Sequence, residues 1–281
     1  MFRKRLNINK IKNLVGDTPL VKISDKIYAK LEMYNPSGSI KDRMVSHIIR
    51  RELIYGNISN ETVLCEVSSG NTGISLSMIA ASIGSECVIF APRGTSIEKI
   101  KMMKAYGAKI IETPESDLLG AINMRDAYLQ ANSNSWSIKQ FSNTLNVDCH
   151  ERTTAPEIHK QVIDIGKKWA AFVYGSGTGG TIEGIRRYLR YNNMKTKVCV
   201  VVPEGDEAIP EINCGNNFLA SKEHMDRIMS ITKSDASDRA IAFTRESGLL
   251  VGPSSGANIL AAERWVEEAR PSGVVVTIYK S

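Results

Sequence analysis

The stretch Gly175-Ser176-Gly177-Thr178-Gly179-Gly180-Thr181 has the residue types that hold an anion. It lies between an apolar run and an amphipathic helical pattern. Glycines let backbone N–H groups approach an anion closely, and a helix N-terminus adds positive partial charge. Thr178 and Thr181 add hydroxyls. The segment reads as a phosphate cradle. Gly175, Gly177 and Gly180 also spell G-x-G-x-x-G, and Glu204 follows near the spacing of a ribose-binding acid. A dinucleotide site is therefore a rival on these residues alone. No Gly-Lys-Ser/Thr follows, so a Walker loop is absent.

Three other segments carry polar chemistry. In Asn35-Pro36-Ser37-Gly38-Ser39-Ile40-Lys41-Asp42-Arg43 a turn leads into a helix that Ser39 can cap. Lys41 then falls in the first helical turn, where an ammonium is set against the helix dipole. A nucleophilic lysine needs its free amine, and this placement is one reason to expect it. For a lone lysine, a solvent-facing role is the plainer reading. Ser68-Ser69-Gly70-Asn71-Thr72-Gly73 offers hydroxyls, an amide and backbone N–H groups for a carboxylate or a ring hydroxyl, or else simply starts a capped helix. In Gly252-Pro253-Ser254-Ser255-Gly256-Ala257-Asn258 a serine can donate to a ring nitrogen or cap the next helix. Only the glycine turn points past a structural role by itself. Together the four describe a phosphate pocket, an amine nucleophile, a carboxylate cradle and a hydroxyl aimed at a heterocycle. Those are the parts of a pyridoxal phosphate site.

Elements must bring these segments together. β-branched runs predict strands over 27–32, 62–67, 86–91, 109–112, 136–139, 171–174, 197–202 and 274–278. Amphipathic runs predict helices over 39–55, 73–83, 96–106, 117–131, 156–169, 180–191, 237–246 and 255–268. Alternation of this kind implies an α/β fold, with mostly parallel sheets covered by helices. The glycine-rich turns at 68–73, 175–180 and 252–256 are each expected to follow a strand, at the end of a parallel sheet where ligands bind. The stretch 204–221 reads as a long loop.

Composition sets the class. The 281 residues include 36 Lys+Arg and 30 Asp+Glu, a net charge of +6, with 42% hydrophobic and 23% charged residues. These values are ordinary for a globular protein and exclude a disordered tail, a collagen and a coiled coil. The basic start (Arg3, Lys4, Arg5, Lys10, Lys12) reads as a solvated terminus, so no nucleic-acid partner is expected. Cys65, Cys87, Cys149, Cys199 and Cys214 form no CxxC pair, and the four histidines show no metal-ligand spacing. No metal is expected, and the cysteine usage suits a reducing compartment. No signal peptide or apolar run of roughly 18 residues appears, which predicts a cytoplasmic protein without membrane partners.

On several motifs in order, the sequence resembles the cysteine synthase (O-acetylserine sulfhydrylase) and cystathionine β-synthase family of pyridoxal 5'-phosphate enzymes, fold type II, tryptophan synthase β-like. The motifs are Gly16-Asp17-Thr18-Pro19-Leu20, the lysine motif at 36–43, Ser69-Gly70-Asn71-Thr72-Gly73, Gln140-Phe141-Ser142-Asn143, Thr153-Thr154-Ala155-Pro156-Glu157-Ile158 and Gly177-Thr178-Gly179-Gly180-Thr181. The resemblance spans nearly the whole chain and reduces the dinucleotide reading to a small remainder. It implies that Lys41 holds the cofactor as a Schiff base and transfers protons. It implies that Gly177, Thr178, Gly179, Gly180 and Thr181 bind the phosphate, Asn71 the ring hydroxyl and Ser254 the pyridine nitrogen. Ser68, Ser69, Gly70, Thr72 and Gln140 would hold the substrate carboxylate.

The implied reaction is β-replacement, forming L-cysteine from O-acetyl-L-serine and sulfide through an aminoacrylate. O-phosphoserine or serine, another nucleophile such as homocysteine or an amine, and a non-catalytic regulatory homologue are the alternatives. The implied architecture is a small mobile domain over 35–146 and a larger phosphate-binding domain from 1–34 and 147–281, in a homodimer. Two features depart from the pattern. The chain stops at Tyr279-Lys280-Ser281, and Glu211-Ile212-Asn213, then Cys214-Gly215, stands where the family has Gly-Ile-Gly. Larger side chains there would narrow the entrance or change the second substrate.

Overall fold

A computed structural model describes residues 13–114, 118–212 and 219–279, without the side chain of Lys222. Asn213, Cys214, Asp117 and the basic start of the chain lie outside the described residues. The chain forms two compact units, one containing Asn35–Gln140 and the other Gly16–Tyr34 with Phe141 onward.

The first unit carries a four-stranded sheet, β5(Lys109–Thr113)-β4(Cys87–Pro92)-β3(Val63–Val67)-β6(Ser135–Ser137), parallel throughout. Its inner strands are nearly continuous apolar runs because helices cover both faces. Helices α1 (Lys41–Ile54), α2 (Asn71–Ile83), α3 (Ile97–Ala105) and α4 (Leu118–Ala131) supply the covering layers. Leu118, Ile122 and Tyr128 pack against Cys65, Val67 and Phe90.

The second unit carries a six-stranded sheet, β1(Leu20–Lys22)-β2(Ile27–Leu31)-β10(Val274–Tyr279)-β7(Trp169–Gly175)-β8(Lys197–Pro203)-β9(Arg227–Ile231). Only β1 runs antiparallel to its neighbour. Its helices are α5 (Leu145–Cys149), α6 (Ala155–Asp164), α7 (Gly180–Tyr191), α8 (Lys233–Ser247) and α9 (Pro253–Ala269). A π-helical turn, His150–Thr154, joins α5 to α6. Strands β7, β8 and β10 are the apolar centre, with Ala257, Ala261 and Trp265 of α9 packed on Val173, Val201 and Val275.

The expected α/β class with mostly parallel sheets is what is found, and several local expectations change. The strand expected over 136–139 ends at Ser137, because Lys139 takes a left-handed conformation (φ 52°) that no strand accommodates. The helix expected over 156–169 ends at Asp164. Lys167 N–H reaches back to the Val162 carbonyl and Gly166 takes φ 70°, the closing pattern of a helix C-terminus. Helix α1 begins at Lys41 with Ile40 as its cap residue, although the Ser39 hydroxyl does accept the Lys41 N–H (3.3 Å). The turn at 252–256 follows helix α8, not a strand. Strands β1 and β9 and the 145–154 helical segment lie where the sequence pattern predicts no element.

Candidate active site

In the first unit, Lys41 opens α1 beside a tightly bonded turn. The Asp42 carboxylate is buried and accepts the Ser37 N–H (2.7 Å) and the Ser37 hydroxyl, so the turn residues before Lys41 are tied to the helix that carries it. The loop after β3 leads directly into α2, whose first residue is Asn71. Ser68 Oγ accepts the N–H groups of Gly70 (3.1 Å) and Gly73 (2.9 Å), which is the capping role open to a serine at this position. Ser69 is exposed. Thr72 is buried and donates its hydroxyl to Gln140 Oε1 (2.7 Å), while Gln140 Nε2 donates to the Val67 carbonyl (3.1 Å). The structure thus brings Ser68, Gly70, Thr72 and Gln140 together. Thr72 and Gln140 are bonded to each other, Ser68 braces the loop through Gly70 and Gly73, and Ser69 is the member of the set open to solvent.

In the second unit, the turn 177–181 joins β7 to α7. Gly179 takes φ 85°, and a Cβ there would lie 2.8 Å from the Ala220 nitrogen. A Cβ on Gly180 would lie 2.1 Å from Asn146 Oδ1. Both positions therefore require glycine for close packing within the protein. Asn146 Nδ2 donates to Thr178 Oγ1 (3.0 Å), and His150 Nε2 lies 3.2 Å from Thr181 Oγ1. Asn146 and His150 are buried supports that sequence reasoning did not single out. Their only signal was a position between the Gln-Phe-x-Asn and Thr-Thr-x-Pro-Glu-Ile stretches.

The backbone N–H groups of Gly177, Thr178 and Gly179 donate to no acceptor among the described residues. Ser254 sits in the first turn of α9, buried, and its hydroxyl makes no hydrogen bond among the described residues. It does not cap its helix, whose cap residue is Gly252. Nearby, Asn258 of the same helix accepts the Gly175 N–H (2.7 Å), which couples α9 to the start of the glycine turn.

A family model described as pyridoxal-phosphate dependent enzyme matches residues 11–280. The chain belongs to the pyridoxal-phosphate dependent enzyme family. This enzyme is 37% identical over 283 residues to the probable cysteine synthase of Bacillus subtilis (strain 168), covering 94% of this chain and 91% of that one. It is 33% identical over 290 residues to the O-acetylserine dependent cystathionine beta-synthase of the same organism, covering 97% and 94%. A hydrogen sulfide-producing enzyme of Fusobacterium nucleatum has the same fold, with TM-score 0.90, 29% identity and coverage of 98% and 88%. The chain is a pyridoxal phosphate-dependent enzyme of the β-replacement and β-elimination kind, with a fold type II architecture.

The residues present fit that cofactor. Three consecutive undonated N–H groups before a helix suit a phosphate. The Ser254 hydroxyl, which makes no hydrogen bond among the described residues, is available to a ring nitrogen. When bound, pyridoxal phosphate supplies an electron sink that lets an α-proton and then a β-substituent leave an amino acid. No helix among the described residues is long and apolar enough to cross a membrane.

Proposed function

We propose that this enzyme makes L-cysteine by replacing the acetoxy group of O-acetyl-L-serine with sulfide. The observation that carries the reading is the 37% identity to a probable cysteine synthase over 94% of this chain. Lys41 holds the cofactor covalently through Nζ. The N–H groups and hydroxyls of 177–181 hold its phosphate, Asn71 its ring hydroxyl and Ser254 its pyridine nitrogen. Ser68, Ser69, Gly70, Thr72 and Gln140 hold the substrate carboxylate, and Ser69 is the exposed member of that set.

Lys41 Nζ then does the proton work. As a free amine it would accept the α-proton and later return it to the same carbon. Ser254 is neutral, so it does not enforce a protonated ring. A weaker electron sink favours β-chemistry over transamination.

The 33% identity to an O-acetylserine dependent cystathionine beta-synthase supports a second reading, with the same leaving group and homocysteine as nucleophile. One experiment separates them. The purified enzyme receives O-acetylserine, O-phosphoserine or serine, each with sulfide or homocysteine, and products are separated by chromatography. Cysteine from O-acetylserine and sulfide as the fastest product is the expected result. Cystathionine as the fastest product moves the function to the second reading. Preference for O-phosphoserine overturns the leaving group in both.

The resemblance also supports a homodimer. The free thiols of Cys65, Cys87, Cys149 and Cys199, all buried, support a cytoplasmic location. Light scattering on the purified enzyme tests the subunit number.

A further inference from the structure

Glu66 lies in the middle of an apolar strand and is completely buried. A charge there is costly, and an apolar side chain of similar volume would often serve stability as well or better. The surroundings show what the carboxylate touches. Oε1 accepts the Val67 N–H (2.8 Å) and faces Arg125 Nη1 (3.3 Å), and Oε2 accepts the Gln140 N–H (3.3 Å) across 74 residues. Arg125 is buried too, and its guanidinium is held from the other side by Asp126 (Nη2–Oδ1 2.9 Å). Gln140 follows Lys139, whose left-handed backbone (φ 52°) is unusual for a non-glycine residue and persists only where its surroundings enforce it. From that fixed backbone the Gln140 side chain reaches the Val67 carbonyl and the Thr72 hydroxyl.

We propose that the buried Glu66–Arg125 pair is a positioning device that aims Gln140, and through it Thr72, at the site where the substrate carboxylate binds. Glu66 pins the Gln140 backbone, Arg125 balances the charge of Glu66, and Gln140 links the end of β3 to the first turn of α2. Neither Glu66 nor Arg125 touches substrate. The inference rests on the carboxylate role given above to the Ser68–Thr72 loop and deepens it.

The test uses holoenzyme and two amino-acid probes without a leaving group, L-alanine and L-alaninamide, read by the change in cofactor absorbance. Wild type is expected to prefer the carboxylate over the amide. Glu66→Gln is expected to cut that preference about tenfold, the worth of one hydrogen bond to a charged group, and to raise KM for the amino-acid substrate with kcat within about twofold. A purely structural lesion weakens both probes alike. Because Glu66→Gln leaves Arg125 with Asp126 as its one carboxylate partner among the described residues, the double variant Glu66→Leu/Arg125→Leu is measured beside it. It is expected to fold as stably as wild type and still lose the carboxylate preference.

Unchanged preference in either folded variant overturns the proposal, as does equal weakening of both probes, or a wild type without carboxylate preference. Failure of the function reading looks different. Wild type then distinguishes the two probes but produces no cysteine from O-acetylserine and sulfide.

Discussion

Lys30 and Glu157 form an ion pair in which the lysine is completely buried within strand β2. The same ammonium bonds the Thr18 carbonyl. Glu157 also accepts the N–H groups of Asp17 (3.1 Å) and Thr18 (3.0 Å), presented by two successive left-handed residues, Gly16 and Asp17. The opening Gly16–Leu20 motif and the 153–158 motif are thus two halves of one polar lock. Removing one partner takes the ion pair from a site where Lys30 is completely buried. Lys30→Met and Glu157→Gln are each expected to cost about 3–5 kcal/mol, read by urea unfolding of the holoenzyme. A loss below about 1 kcal/mol would show that the lock contributes little.

The glycine turn gives a steric expectation. Alanine at 180 favours a helix by propensity, but its Cβ would fall 2.1 Å from Asn146 Oδ1 and displace the side chain that holds Thr178. Overpacking outweighs propensity here. Gly180→Ala is expected to lose about 1–3 kcal/mol and to retain less pyridoxal phosphate after dialysis. Full cofactor retention would contradict the packing described for the cradle.

Acid sensitivity should report on Glu183, in the first turn of α7. Burial opposes its ionisation, but Arg186 (2.8 Å) and Arg187 (3.0 Å) outweigh that and hold the carboxyl below the usual carboxylate range. A depressed folded pKa gives stability that is present above the unfolded pKa and lost as pH falls through the folded one. Glu183→Gln is therefore expected to cost about 1 kcal/mol near neutrality and almost nothing at about pH 3. Equal loss at both values would trace the effect to packing.

Ser254 offers a chemical test. With Ser254 at the ring nitrogen, as proposed, Ser254→Asp would place a carboxylate where a neutral hydroxyl now stands and favour a protonated ring and a stronger electron sink. Racemisation and transamination are expected to rise relative to β-replacement, measured on one sample by chiral chromatography. An unchanged product ratio would remove the argument from the neutral serine.

Long apolar runs made the fold legible. Strands β3, β4, β7, β8 and β10 are buried inner strands, and their near-continuous Val, Ile and Phe content showed in the chain. Strands β1 and β9 did not show because β1 is only three residues long and β9 is largely exposed. In β9, Arg227 and Ile228 face solvent, which breaks any apolar run. Segment 145–154 was illegible because its π turn follows no helical period, and it packs against Gly184, where a Cβ would lie 2.6 Å from the Val147 carbonyl. The helix start at Lys41 and the glycine turn before α7 were legible as local structure from their residue types. Asn146, His150 and Glu66 were not, because each acts through contacts with residues at least 30 positions away. A lone glutamate inside an apolar strand run was the one available sign of the last.

The most direct measurement is a peptide map of the enzyme after borohydride reduction. Purified with pyridoxal phosphate, the protein should be yellow, should bleach on reduction, and should carry the pyridoxyl group on the peptide containing Lys41. A colourless protein that takes up no added cofactor, or a reduced adduct on another lysine, would contradict the assignment of Lys41 as the cofactor-bearing residue.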